Sequence, residues 1–266
     1  MSPHGSPSPA PAPAPRSWRA VEQVMGLPVS LVLRGQHAGD AAATDAWTEV
    51  VAQLREVDRV FSTYRADSFV SRLAAGEIAL SDCPPEVAEV LALGEQARGE
   101  SHGAFDVRRL GPDGERVLDP SGVVKGWAVQ RAASVLAGLP DTDYCLGAGG
   151  DLVCHVASRD RPDWQVGIED PQDPRRLVAR IPVRHGAVAT SGAAHRGQHV
   201  VDARTGSVPE GVASVTVVAD DLTWADIDAT AAFAHGRDAL AWLRERPDRS
   251  GLVVWTDGRA DTFSTS

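Results

Sequence analysis

The chain has 266 residues, 43% of them hydrophobic, enough apolar surface to bury one large core or two small ones. Its 26 Lys and Arg against 36 Asp and Glu give a net charge of −10, which argues against a nucleic-acid partner, because such binding runs on Lys and Arg displacing counterions. A small anionic ligand stays compatible with that charge wherever backbone N–H groups, a lysine or a divalent cation reverse the field locally.

The N-terminal stretch alternates Pro with Ala and Ser, a composition that favours an extended polyproline-like tail and builds no core. Residues 1–18 are expected to be a disordered tail and 19–266 a single domain. No basic start with a continuous apolar run, no early lipid-bearing cysteine and no apolar span of membrane length is seen. The default expectation is a cytoplasmic location, with export left open. The three cysteines, Cys83, Cys145 and Cys154, form no CxxC pair and read as small hydrophobes.

From Val21, VEQVMGLPVSLVL reads as a strand pair or a long strand interrupted at Gly26, Leu27 and Pro28, with Pro28 suited to an edge or bulge. Asp40 is placed to cap a helix over 41–61, where Ala43, Trp47, Val50, Val51 and Leu54 recur at helical spacing. Asp67 or Ser68 suits the cap of a short helix, and Pro85 opens another over 85–97. Further helices are expected over 123–136 and 226–234, the last with Thr223 as its cap. Strand-like runs begin at Asp151, Trp164, Leu177, Gly186, Val212 and Gly251. Strands bunched in the second half favour an α+β fold over βαβ alternation, and no repeat of solenoid period is visible.

Several short motifs carry chemistry. FSTYRADS offers the Tyr64 ring, suited either to stacking on a planar ligand or to core packing. GAFD ends in Asp106, a turn-capping residue when read alone. LDPSGVVKGWA joins Asp119, Ser121 and Gly122 to a helix whose unpaired N–H groups suit a phosphate. Lys125 adds charge one turn in, where the helix dipole disfavours it, so it needs a reason. CLGAGGD lacks the spacing of a Rossmann fingerprint. GAVATSG sets Thr190 and Ser191 at a strand end. HVVDARTG places His199 and Val201 on one face and lets Asp202 and Arg204 lock a turn; His199 is either a general base or a packed histidine. In TWADIDATAAF, Asp226 and Thr230 stand one helical turn apart, two hard oxygen donors of the kind magnesium accepts.

In this order the motifs resemble the ApbE-type FAD:protein FMN transferases over 25–236, in MG, FSxYxxDS, GAFD, DxSGxxKGWA, AGGD, ATSG, HxxDxxTG and ADxxAT. The resemblance implies a single α+β, T-fold-like domain with antiparallel or mixed sheets and packed helices. It implies an enzyme that moves FMN from FAD to a Thr or Ser hydroxyl of an acceptor protein and releases AMP. FAD is then a substrate, and magnesium the cofactor. Met25 and Tyr64 would contact flavin or adenine; Ala104, Phe105 and Asp106 would line the FAD site. Asp119 and Lys125 would hold ribose, phosphate or adenine, and Val201 would offer a backbone contact. Gly122 through its carbonyl, Asp226 and Thr230 would bind the metal; His199 and Lys125 would be catalytic. Asp202, Arg204, Thr190 and Ser191 would shape the site.

The sequence departs from the family pattern at Ala203, where proline is usual, at Ala194, where an aromatic is common, and at Ala229, which supplies no third ligand. The connection from Asp106 to Asp119 is short, which implies loss of a flap over the nucleotide. Water as the nucleophile would make an FAD pyrophosphatase, and a non-catalytic flavin binder would keep FAD intact; the sequence leaves both open.

Overall fold

The computed structural model describes residues 17–110, 114–192 and 200–266. Strands β1 (Ser17–Val24) and β2 (Leu27–Gly35) form a hairpin closed by Met25 and Gly26, both at positive φ, as a two-residue I′-type connection requires. The ladder starts at Ser17, so Ser17 and Trp18, which composition assigned to the tail, are paired strand residues. Pro28 lies in β2, inside the edge strand β1. It is tolerated because pairing of β2 with β5 (Thr142–Ala148) begins only at Val29.

Helix α1 (Ala41–Phe61) starts where expected, the Asp40 carboxylate accepting from Ala43 N–H at 3.1 Å. Ser68, not Asp67, caps α2 (Phe69–Ala74); Asp67 is an exposed partner of Arg65. Next come α3 (Pro85–Glu100), a short hairpin of β3 (Arg108–Leu110) and β4 (Arg116–Leu118), and α4 (Ser121–Leu136). After β5 follow β6 (Asp151–His155), β7 (Trp164–Asp170), β8 (Asp173–Val183), β9 (His185–Gly192) and β10 (Val212–Ala219). The chain ends through α5 (Leu222–Ala234), α6 (Ala239–Leu243), β11 (Ser250–Trp255) and β12 (Ala260–Ser264). The cap of α5 is Asp221, whose carboxylate accepts from Trp224 N–H, and not Thr223.

Among the described residues, one eight-stranded sheet runs β1-β2-β5-β6-β9-β10-β11-β12, every neighbour antiparallel. Each half repeats one order: hairpin, helices, hairpin. The first is β1-β2, α1 to α4, β5-β6; the second is β9-β10, α5 and α6, β11-β12. The halves join where β6 pairs with β9. Alternation along the strands sends Leu31, Val153, Ala187, Ala189 and Val217 into the main core under the helices. The intervening Cys154, Val188, Leu252 and Val254 meet the β7–β8 hairpin on the other face. This is the expected α+β fold with antiparallel sheets. No described helix is long and apolar enough to cross a membrane.

Candidate functional site

A cavity of about 390 Å³ opens at the end of the sheet where β6, β9 and β10 meet the start of α4 and the body of α5. Its upper wall is the start of α4. Asp119 Oδ1 accepts from the Ser121 N–H at 3.2 Å and the Ser121 hydroxyl at 2.6 Å, ordering the first turn, while Oδ2 pairs with Arg109 Nε at 2.8 Å. At Gly122 a Cβ would stand 2.9 Å from the Phe105 ring, so glycine lets the two walls meet. Asp106 accepts from Arg108 N–H at 2.8 Å and pairs with Arg116 at 2.7 Å. The short connection between Asp106 and Asp119 is thus the β3–β4 hairpin, and its Arg109 lines the cavity.

The floor is charged and nearly dry. Lys125 Nζ lies 2.5 Å from Asp151 Oδ2 and 3.1 Å from Asp226 Oδ1. Asp151 is 0% exposed and Asp226 2%. Asp226 Oδ2 also accepts the Gly126 N–H at 3.0 Å, an approach open only to glycine, since a Cβ there would stand 2.7 Å from the Leu222 carbonyl oxygen. Burial pushes the Asp226 carboxyl above the ordinary carboxylate range; Lys125 opposes the shift and Asp151 adds to it. Burial alone would depress the Lys125 ammonium, but Asp226 and Asp151 outweigh it and hold the group protonated, above the ordinary lysine range. Next to this cluster Thr230 and Ser191 share a hydroxyl contact of 2.9 Å, as do Thr190 and Thr216. Ser214 lines the cavity with a buried hydroxyl that has no protein partner.

The remaining wall comes from two loops and a hairpin. Ala203 N–H donates to the Ala104 carbonyl at 3.1 Å, docking the Asp202–Arg204 turn on GAFD, and Asp202 accepts from Arg204 Nε at 2.8 Å. The end of β7 and the turn after it, from Val166 to Pro171, close the opposite side.

Of the residues expected at the site, Ala104, Phe105, Asp106, Asp119, Gly122, Lys125, Val201, Asp226 and Thr230 line this one cavity, with Thr190 and Ser191. Met25 and Tyr64 do not. Met25 turns the β1–β2 hairpin, whose Pro28 carbonyl accepts from Gly149 N–H, so it neighbours the cavity without lining it. Tyr64 is 99% exposed in the turn after α1, and neither core packing nor contact with the cavity holds it. His199 and Ala194 lie outside the described residues, although Val200 and Val201, directly after His199, line the cavity. Asp228, two residues from Asp226, is buried between Arg246 (3.1 Å) and Arg249 (2.7 Å) and serves packing. Sequence reasoning missed Arg109, Ser214 and the end of β7, and gave Asp151 no role although AGGD had marked it.

Among the described residues no three His, Cys, Asp or Glu side chains converge on a metal position, so a cation here relies on oxygen donors of mixed type. The Asp226 carboxylate, the Thr230 hydroxyl and the Gly122 carbonyl are such a set. With two buried carboxylates against one ammonium, they fit a hard divalent ion.

Known proteins resemble this chain in sequence and in fold. The ApbE family model matches residues 25–112 and 109–253. A FAD:protein FMN transferase of Vibrio cholerae is 26% identical over 289 residues, covering 87% of this chain and 86% of that protein. The structure of ApbE from Thermotoga maritima superposes with a TM-score of 0.77 at 20% identity, over 94% of this chain and 97% of that one, a likeness of fold. The apo flavinyl transferase ApbE of Pseudomonas stutzeri gives 0.76 at 25% identity, over 95% of both chains. A family match running from the β1–β2 turn to β11, on a fold shared nearly end to end, establishes that the chain belongs to the ApbE family.

Proposed function

We propose that this protein transfers FMN from FAD to a Thr or Ser hydroxyl of an acceptor protein in a magnesium-dependent reaction that releases AMP. The observation that carries the reading is the convergence of Asp226, Thr230, Gly122 and Lys125 on one cavity beside the N-terminus of α4. When bound, magnesium would neutralise charge building on the phosphoryl oxygens. Asp226, Thr230 and the Gly122 carbonyl would hold it. The Gly126 N–H, which helical geometry assigns to that carbonyl, reaches Asp226 Oδ2, so Gly122 keeps acceptor capacity.

In this reading the positive end of the α4 dipole faces the FAD diphosphate, and Asp119, which holds the Ser121 N–H, keeps that turn ordered. Phe105, Ala104 and Val201 exclude water from the apolar part of the nucleotide, and the Ser214 hydroxyl is available to hydrogen-bond it. The acceptor oxygen attacks the FMN-side phosphorus, the bond to the bridging oxygen breaks, and AMP departs with that oxygen. His199 takes the hydroxyl proton on its imidazole nitrogen.

Incubating the full chain with FAD, magnesium and a candidate acceptor, and following AMP and acceptor mass, tests this. The acceptor should gain one FMN, with no gain for Asp226→Ala. AMP without labelling would make the protein a hydrolase, and intact bound FAD would make it a binding protein.

A further inference from the structure

Asp151, buried directly behind Lys125 at the cavity floor, is a charged group for which the transfer reaction as written needs nothing. Gly149 and Gly150, both at positive φ, turn the chain so that Asp151 opens β6 facing inward, fully buried. Its Oδ1 accepts from Thr190 N–H at 3.1 Å, and its Oδ2 stands closer to Lys125 Nζ, at 2.5 Å, than Asp226 does at 3.1 Å. The rim pairs Arg109–Asp119 and Arg116–Asp106 are each balanced, Glu169 and Asp170 stand on the opposite wall, and around Lys125 itself two carboxylates face one ammonium. In a site screened from water such a surplus acts strongly on a cation. Without the Asp151 charge, Lys125 alone would neutralise Asp226 and close an ion pair over the oxygens assigned to the metal.

We infer that Asp151 is a positioning residue that holds Lys125 partly off Asp226 and keeps the floor one charge negative, tuned to admit a divalent cation. The inference rests on the metal reading of the site given above. It applies to cation binding before any flavin is present.

Manganese(II) alone, titrated into the full chain and followed by the paramagnetic signal of the free ion, is the test. Asp151→Asn keeps an oxygen for Thr190 N–H and should weaken binding on the order of tenfold or more. Lys125→Gln should shift affinity the other way, and the double variant should return it close to wild type, because one charge of each sign has gone. Melting temperatures of all three report whether the fold is kept. Unchanged affinity in Asp151→Asn, or weakening that Lys125→Gln fails to rescue, overturns the inference while leaving the metal site standing. Absence of binding to wild type, or equal binding to wild type and Asp226→Ala, removes the metal reading itself and this inference with it, and shows in proteins where Asp151 is intact.

Discussion

Single residues on α5 show how one helix serves two purposes. Asp226 faces the cavity and Lys125, whereas Asp228 faces two arginines and ties α5 to the segment leading into β11. At the helix end, His235 Nε2 meets the Ser101 carbonyl at 3.1 Å and its ring stacks on Trp242 at 5.3 Å. Burial, and next the Arg204 charge, lower its pKa. The neutral ring is therefore the native form. As pH falls below about 6.5, the unfolded chain takes up this proton first. The stabilising contribution is complete above that value and is lost as pH drops toward the folded pKa. Urea melts across this window should show wild type losing stability on acidification more steeply than His235→Gln; equal slopes would refute the assignment.

At the scale of elements, the contact of α4 with α5 is the sensitive one. Gly126→Ala would set a methyl 2.7 Å from the Leu222 carbonyl oxygen and 2.8 Å from Asp226 Cβ, so the helices must part. The expected loss is about 1–3 kcal/mol, read from the denaturant midpoint, together with weaker metal binding because Asp226 moves. Much of the helical structure was legible for local reasons: Asp40, Ser68 and Pro85 each sit where a cap or first turn belongs. The start of α5 was misread because Thr223 and Asp221 both suit a cap, and only the bond to Trp224 N–H distinguishes them. The end of β7 was illegible as a wall of the site. It contributes Gly167, Ile168 and Pro171 by shape, and its carboxylates Glu169 and Asp170 sit in no motif that sets them apart from surface charge.

At the scale of the whole molecule, the motifs foretold which residues would gather but not the strand order. The neighbours β2-β5 and β6-β9 are joined across long insertions that periodicity does not register. The cavity draws on both halves of the sheet, so a ligand there clamps them together. FAD with magnesium at about a hundred times its dissociation constant should raise the melting temperature by about 5–10 °C, and Asp226→Ala should remove the magnesium-dependent part. A melting temperature indifferent to both ligands would mean that the native chain binds neither, and would overturn the reading.

The junction at β6 and β9 also sets an order of events during synthesis. Lys125 and Asp151 leave the ribosome with the first half, Thr190 opens the second, and Asp226 and Thr230 come only with α5. Until then Lys125 has Asp151 as its sole carboxylate of this trio, and the pair is electrically neutral. On the proposed function, a chain stalled before α5 lacks Asp226, Thr230 and the surplus negative charge for magnesium, so nucleotide consumption waits until α5 has been made and folded.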